Sequence, residues 1–234
     1  MTLVIAHRGA SAGAPANSLE AFELAIALGA DMIECDVRRT RDGELVTFHD
    51  EDVTGTPLRL LTRDGVAERL GHRPPLFEEV LELCAGRIGV DIELKEDGYV
   101  ERVLALARAR LEPEGTIVTS FRDGVLAQVR RHAAELRTGL LLGREDPDRL
   151  IRTRISELFP VARARRCGAT LIAPHQTLGR FGALRRAAAA GLGALVWTVN
   201  RDDELIRHLR DPRVDGVITD VPARAVALRA QLRR

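Results

Sequence analysis

The chain is poor in several features that would mark a special environment. Among its 234 residues it has one Trp, one Tyr and six Phe, and Lys+Arg (35) nearly balances Asp+Glu (34) for a net charge of +1. With neither a basic excess nor aromatics to stack bases, general nucleic-acid binding is excluded. No apolar run approaches the ~20 residues of a membrane span, so no stable membrane insertion is expected. The opening MTLVIAHRGA carries neither a basic leader nor a long apolar stretch, and the chain reads as cytoplasmic. Three cysteines, Cys35, Cys84 and Cys167, lie far apart without a C-x-x-C pair, as expected of buried thiols in a reducing compartment. The most pointed scarcity is lysine: 34 arginines stand against one lysine, Lys95. Arginine cannot reproduce a compact ammonium charge, so a lone surviving lysine invites a chemical explanation.

What is present is an ordinary apolar share, 45%, enough for one folded domain spanning residues 1–234. Short β-rich runs alternate with helical patterns. Strands are predicted at 3–6, 32–37, 88–94, 116–120, 138–142, 170–173, 194–199 and 216–219. The helical patterns run from Asn17 or Ser18, either able to cap, to Leu28, then over 76–84, 99–111, 122–134, 147–165, 178–190, 202–209 and 222–231. Asp42-Gly43 predicts a hairpin from the second strand into Leu45–Phe48, with Glu34 near His49 across the ladder. Residues 50–75 read as a loop excursion with one helical turn. Eight strand–helix units in this length describe a TIM (β/α)8 barrel with a short hairpin and loop insertion after strand 2. The alternative, an open doubly wound sheet, lacks its G-x-G-x-x-G loop after the first strand.

In a barrel, chemistry collects where strands end. His7 and Arg8 follow strand 1; Glu34 and Asp36 lie two apart on strand 2 and so share a face; His49 and Asp50 follow the hairpin; Glu93 and Lys95 repeat the two-residue spacing. Converging carboxylates repel, and a divalent cation with all-oxygen ligands, Mg²⁺ or Ca²⁺, resolves the repulsion. The alternative is a buried salt-bridge network of the same carboxylates with Arg8 and Lys95. His7 and His49 make a natural acid/base pair, and Arg8 with Lys95 a phosphate clamp. Trp197, with Phe121 as a weaker companion, either walls a substrate cleft or fills the barrel. Asn200 and Asp220 are further polar residues at late strand tails. His175 follows the strand LIAP at the mouth. Arg163, Arg165 and Arg166 read as solvated surface.

The run AHRGASAGAPANSLEAFELAIALGADMIECDVRRTRDGELVTFHD, with DIELK, TSFRDGVLAQVR and VWTVNRDDELIRHLRDPRVDGVITDVP, resembles the glycerophosphodiester phosphodiesterase family over nearly the whole chain. HRG, E-x-D, H-D and E-L-K occur together, in order and at fitting spacing. The resemblance implies a phospholipase-C-like phosphodiesterase barrel in which Glu34, Asp36 and Glu93 hold the metal, His7 and His49 are the catalytic pair, and Arg8 and Lys95 contact phosphate. It also implies a small-molecule substrate, a glycerophosphodiester cleaved to glycerol 3-phosphate and an alcohol, and Mg²⁺ or Ca²⁺ as cofactor. Two departures bear on substrate choice: Ala16 stands where the family turn carries Glu, and EDVTGTPLRLLTRD after His49-Asp50, with no arginine directly before Thr54, stands in place of an Arg-Thr-Thr-Gly-like stretch and a longer insertion. Competing readings are a lysophospholipase D-like enzyme with an apolar rim from Leu60, Leu61, Phe121 and Trp197, a metal-dependent lyase or isomerase using Lys95 as base, and a non-catalytic barrel that binds a phosphorylated ligand.

Overall fold

The computed structural model describes residues 1–143, 159–179 and 182–233. Eight parallel strands close into a ring: β1 (Leu3–Ala6), β2 (Met32–Arg39), β6 (Gly89–Leu94), β7 (Thr116–Ser120), β8 (Arg137–Leu142), β9 (Leu171–Pro174), β10 (Gly193–Val196) and β11 (Gly216–Thr219), with β11 returning to pair with β1. The expected barrel is therefore the observed fold. Helices α1 (Leu19–Ala27), α3 (Phe77–Cys84), α4 (Val100–Arg108), α5 (Asp123–His132), α6 (Pro160–Cys167), α8 (Ala183–Ala189), α9 (Asp202–Arg210) and α10 (Pro222–Gln231) accompany the strands. Among the described residues no helix is long and apolar enough to cross a membrane.

The strands are short, β-branched and apolar on both faces, as buried parallel strands require. One set of side chains, Ile5, Met32, Ile117, Leu141, Leu171, Leu195 and Ile218, fills the barrel interior; the others pack beneath the helices. Ser18 Oγ accepts from Ala21 N–H at 3.1 Å and caps α1. This leaves Asn17, the other cap candidate, for a different task. The three cysteines are buried free thiols.

Strand β2 changes partners along its length. Its first residues pair with β1 (Ile5 with Met32, Ala6 with Ile33), and its last pair antiparallel with β3 (Leu45–Thr47), Val37 facing Thr47. The hairpin forms as expected, but its register differs. Phe48 N–H bonds Asp36 O at 2.9 Å, so Phe48 stands opposite Asp36, and Glu34 has no ladder partner in β3. The switch splays β1 away from the upper half of β2 and opens the barrel mouth there.

Three further readings are corrected. The 50–75 excursion holds a small ribbon, β4 (Asp52–Val53) with β5 (Thr56–Pro57), and a two-turn helix α2 (Arg63–Leu70) capped by Thr62 and ended by left-handed Gly71. The helix over 178–190 is instead a short α7 (Gln176–Gly179) followed by α8. Arg163 is buried: its Nε donates to Asp123 Oδ1 at 2.7 Å and its Nη2 to the Phe121 carbonyl at 2.8 Å. The part of the 147–165 helix before residue 159 lies outside the described residues.

Asp31 ties the start of the barrel to its last helix. Its carboxylate accepts from Val4 N–H at 2.7 Å and pairs with Arg229 of α10. Asp31→Ala leaves both donors without their acceptor and is expected to cost about 1–3 kcal/mol in urea unfolding, the usual penalty for orphaned partly buried donors; an unchanged midpoint contradicts this role.

Candidate active site

At the C-terminal ends of the strands lies a cleft lined by His7, Glu34, Glu93, Thr119, Phe121, Leu141, Trp197 and Ile218. The turn after β1 builds its first wall. Arg8 has φ 55° and Gly9 φ 82°, and a Cβ on Gly9 would lie 2.6 Å from the Ala21 carbonyl carbon, so only glycine lets the turn pack onto α1. This turn aims Arg8 N–H at Glu34 Oε2, 2.9 Å away.

Carboxylate oxygens of Glu34, Asp36 and Glu93 lie within 4.8 Å of one another, and all three residues are buried. Asp36 and Glu93 are neighbours across the β2–β6 ladder. Lys95 Nζ, on a side chain only 5% exposed, reaches Asp36 Oδ1 at 2.8 Å and Glu93 Oε1 at 2.6 Å. Arg8 Nε approaches Asp36 Oδ2 at 3.2 Å from the more open side. Asn17, at φ 59°, clamps the same carboxylate: its Nδ2 donates to Asp36 Oδ2 at 2.7 Å and its Oδ1 accepts from Asp36 N–H at 3.2 Å. Burial alone would raise the Asp36 pKa, but Lys95, Arg8 and His49 together hold it well below the usual carboxylate range.

Glu34 goes the other way. Burial first, and then the charges of Asp36, Glu93 and Asp91, push its pKa well above the ordinary value. Its Oε1 is buried without a hydrogen-bond partner. An acceptor of this kind, beside two other carboxylates, suits an oxygen-ligated divalent cation. With all three carboxylates ionised, Arg8 and Lys95 leave one formal negative charge unanswered, a balance that favours a divalent cation.

His7 Nδ1 lies 2.6 Å from Asp220 Oδ1. Asp220 is itself braced by Ser11 Oγ at 3.1 Å and by Asn200 Nδ2 at 2.5 Å. Its burial raises its pKa, but the hydrogen bonds from His7, Asn200 and Ser11 outweigh this and leave the pKa lowered. The His7 ring therefore has a fixed carboxylate behind it and its other nitrogen available to the cleft. His49 Nδ1 lies 2.7 Å from Asp50 Oδ1 at the more open rim, where the histidine is 31% exposed. Trp197 and Phe121 both wall the cleft, edge to face at 5.7 Å, and Trp197 Nε1 donates to Ala173 O at 2.7 Å. His175 stacks edgewise on Trp197 at 5.2 Å.

The family model for the glycerophosphoryl diester phosphodiesterase family matches residues 7–67 and 77–224. The chain belongs to this family. It is 32% identical over 251 residues to the glycerophosphodiester phosphodiesterase of Caldanaerobacter subterraneus subsp. tengcongensis, an alignment covering 97% of both chains. The solved glycerophosphodiester phosphodiesterase of Thermotoga maritima superposes with a TM-score of 0.78 at 28% identity, covering 98% of this chain and 99% of that one. A phosphodiesterase of Oleispira antarctica, solved with its product sn-glycerol-3-phosphate, shares the fold with a TM-score of 0.77 at 21% identity, covering 97% and 96%.

All nine residues singled out for the site lie at the barrel mouth, as does the family's strand-end pattern. The site also uses residues that sequence reading left without a role. Asn17 looked like a helix cap, and Asp220, Asn200 and Ser11 only find His7 once the barrel closes. Ala16 is exposed in the β1–α1 loop, and Asp36 is held by Asn17, Arg8 and Lys95 with no carboxylate at position 16.

Below the cluster, Asp91 is fully buried; Thr119 Oγ1 donates to its Oδ1 at 3.0 Å, and its Oδ2 has no hydrogen-bond partner. Burial pushes its pKa from 3.8 up to about 7. The folded protein therefore holds the proton more tightly than the unfolded chain, and ionised Asp91 destabilises it. Three pKa units correspond to about 4 kcal/mol, present in full above pH 7, shrinking as pH falls and gone below the unfolded value. Asp91→Asn keeps the Thr119 bond and is expected to stabilise the metal-free protein by up to about 4 kcal/mol at pH 8 and far less at pH 4.5. Urea unfolding in chelator at the two pH values checks this, and a gain independent of pH contradicts it.

Proposed function

We propose that the chain hydrolyses glycerophosphodiesters to glycerol 3-phosphate and an alcohol, through a divalent metal and histidine acid/base catalysis within one catalytic domain. The carrying observation is the convergence of two carboxylate-backed histidines on one carboxylate cluster and its two cations. Glu34, Asp36 and Glu93 are the residues that would hold Mg²⁺ or Ca²⁺. When bound, such an ion supplies charge neutralisation at the phosphoryl oxygens and lowers the pKa of a coordinated hydroxyl.

The chain's own residues do the rest. His7, braced by Asp220, takes the proton from the attacking oxygen, the substrate's own 2-hydroxyl or a water. His49, at the open rim where an alcohol departs, gives a proton to the leaving alkoxide. Attack by the 2-hydroxyl forms a cyclic phosphate and frees the alcohol; water then opens the ring to glycerol 3-phosphate. Arg8, more exposed than Lys95, faces the phosphate, and Lys95 holds Asp36 and Glu93 in place while adding positive charge behind them. Phe121 and Trp197 exclude water along the opposite wall.

A soluble headgroup diester fits better than a lysophospholipid. Leu61 is packed into the satellite core with Val46, Val53, Leu58 and Val66, away from the cleft lining, so the four residues proposed for an acyl rim do not assemble into one. A lyase or isomerase built on the carboxylates and Lys95 leaves the His7–Asp220 pair unused. The three buried thiols support a cytoplasmic setting.

The test is glycerol 3-phosphate release from glycerophosphocholine and glycerophosphoethanolamine after chelation and add-back of Mg²⁺, Ca²⁺ or Mn²⁺. Metal-restored release is expected; no release from folded protein with any of the ions overturns the reading. His7→Ala and His49→Ala are each expected to lose about 10²–10⁴ in kcat with the fold retained, and near wild-type turnover in either removes that histidine from the mechanism. Lys95→Arg is expected to lose at least tenfold in kcat despite keeping the charge, because a planar guanidinium does not fit between two carboxylates in so closed a space; full activity contradicts it.

A further inference from the structure

Arg38 is the third member of an alternating series on β2, after Glu34 and Asp36, and so falls on the same face of the strand. It is 9% exposed, an unusual burial for arginine. Its Nε donates to the backbone carbonyl of His49 at 2.9 Å. Its Nη1 pairs with Glu96, which follows Lys95 in the loop after β6. Glu96 is fastened in turn: its N–H donates to Tyr99 Oη at 3.2 Å. The Tyr99 hydroxyl lies 2.6 Å from Val37 O and 2.8 Å from Glu96 Oε2, its single proton serving one at a time. Tyr99 is 4% exposed, the only tyrosine of the chain.

The β2–β3 ladder stops short of His49. β3 is three residues long, and its ladder with β2 ends at Val37–Thr47. Phe48 N–H still reaches Asp36 O, and beyond it the chain leaves the sheet. At that point Arg38 reaches across and donates to the carbonyl of His49. We propose that Arg38, braced by Glu96 and Tyr99, is a positioning residue for catalysis: it holds the backbone of His49 so that the imidazole stays over the Asp36 side of the cluster. The strap joins the ends of β2 and β6, the two strands that carry the carboxylates, to the segment that carries the acid. The guanidinium thereby ties His49 to the strands of the cluster beyond the end of the sheet ladder. Displacing a catalytic group by about an ångström costs on the order of 10²-fold in rate.

The inference rests on the phosphodiesterase reading, and the experiment separates the two. Wild-type protein is assayed first with saturating metal and a glycerophosphodiester; inactivity there counts against the parent reading. Arg38→Gln then removes the bridge between His49 and Glu96. The expected result is a kcat lowered tenfold or more, with KM within twofold of wild type and the metal Kd unchanged. Hydrogen exchange over residues 45–52, followed by mass spectrometry in the metal-loaded protein, should rise tenfold or more there and not elsewhere. This second readout does not depend on turnover. An unchanged kcat, or a loss of kcat together with metal affinity, overturns the proposal, because the first means His49 needs no strap and the second means Arg38 serves the cluster instead. Should Arg38→Gln fail to fold, Glu96→Gln reads the same strap from a more exposed position. It is expected to lower kcat threefold or more with the metal Kd unchanged, and unaltered kcat in that variant overturns the proposal equally.

Discussion

Three carboxylates, Glu34, Asp36 and Glu93, share one side of the barrel mouth almost out of reach of water, and the surrounding chain is stable only if that charge is answered. Much of what surrounds them does so. Lys95 spans two of the acids across adjacent strands, Arg8 closes on Asp36 from the open side, and Asn17 gives Asp36 both an amide donor and an acceptor for its own N–H. The answer is incomplete by one charge, and the deficit falls on Glu34, whose pKa is driven upward and whose Oε1 is left without a partner. A site under-neutralised in this way has the charge and the oxygen donors to hold a divalent cation.

The exchange of partners along β2 makes this possible. A strand flanked on both sides by parallel neighbours over its full length would hold its acids inside a packed ring. Here β1 pairs only with the first residues of β2, and β3 returns antiparallel along the last. The gap between β1 and β3 admits the β1–α1 turn, and with it Arg8 and Asn17, to the acids of β2. It also sends the chain from β3 back over the mouth, which delivers His49 to the rim.

Much of this architecture was legible in sequence, and the reasons differ by element. Strands 3–6, 116–120 and 216–219 were read to the residue, because buried parallel strands are dense β-branched runs with abrupt ends. The α2 helix was legible only as a single helical turn within 50–75, since RDGVAERL buries only Val66 and carries a glycine in its first turn, so periodicity had little to report. The hairpin's existence followed from Asp-Gly, but its register depends on which carbonyl Phe48 finds, and turn chemistry alone does not set that. The site residues were legible because acids, histidines and a lone lysine are conspicuous at strand tails. Their supports were not: His7 and Asp220 are 213 positions apart, and Arg163, read as surface, is buried between the loop after β7 and α6. Such pairs exist only once the ring has closed.

Ring closure also explains the composition. Arginine stands at exposed ion pairs such as Arg87 with Glu23 and Arg108 with Glu135, where a long planar cation does as well as any. At position 95 the space is set by two neighbouring strands of the barrel. Nζ reaches one carboxylate on each, at 2.8 and 2.6 Å, with the side chain almost fully enclosed. A guanidinium there would have to push those strands apart or swing into the mouth, and either movement would displace the acids that define the site. The planar cations stand where the geometry is open or forked: Arg8 at the mouth, and Arg38 between a carbonyl and a carboxylate. The lone lysine therefore marks the one place where a point charge and a fork are not interchangeable.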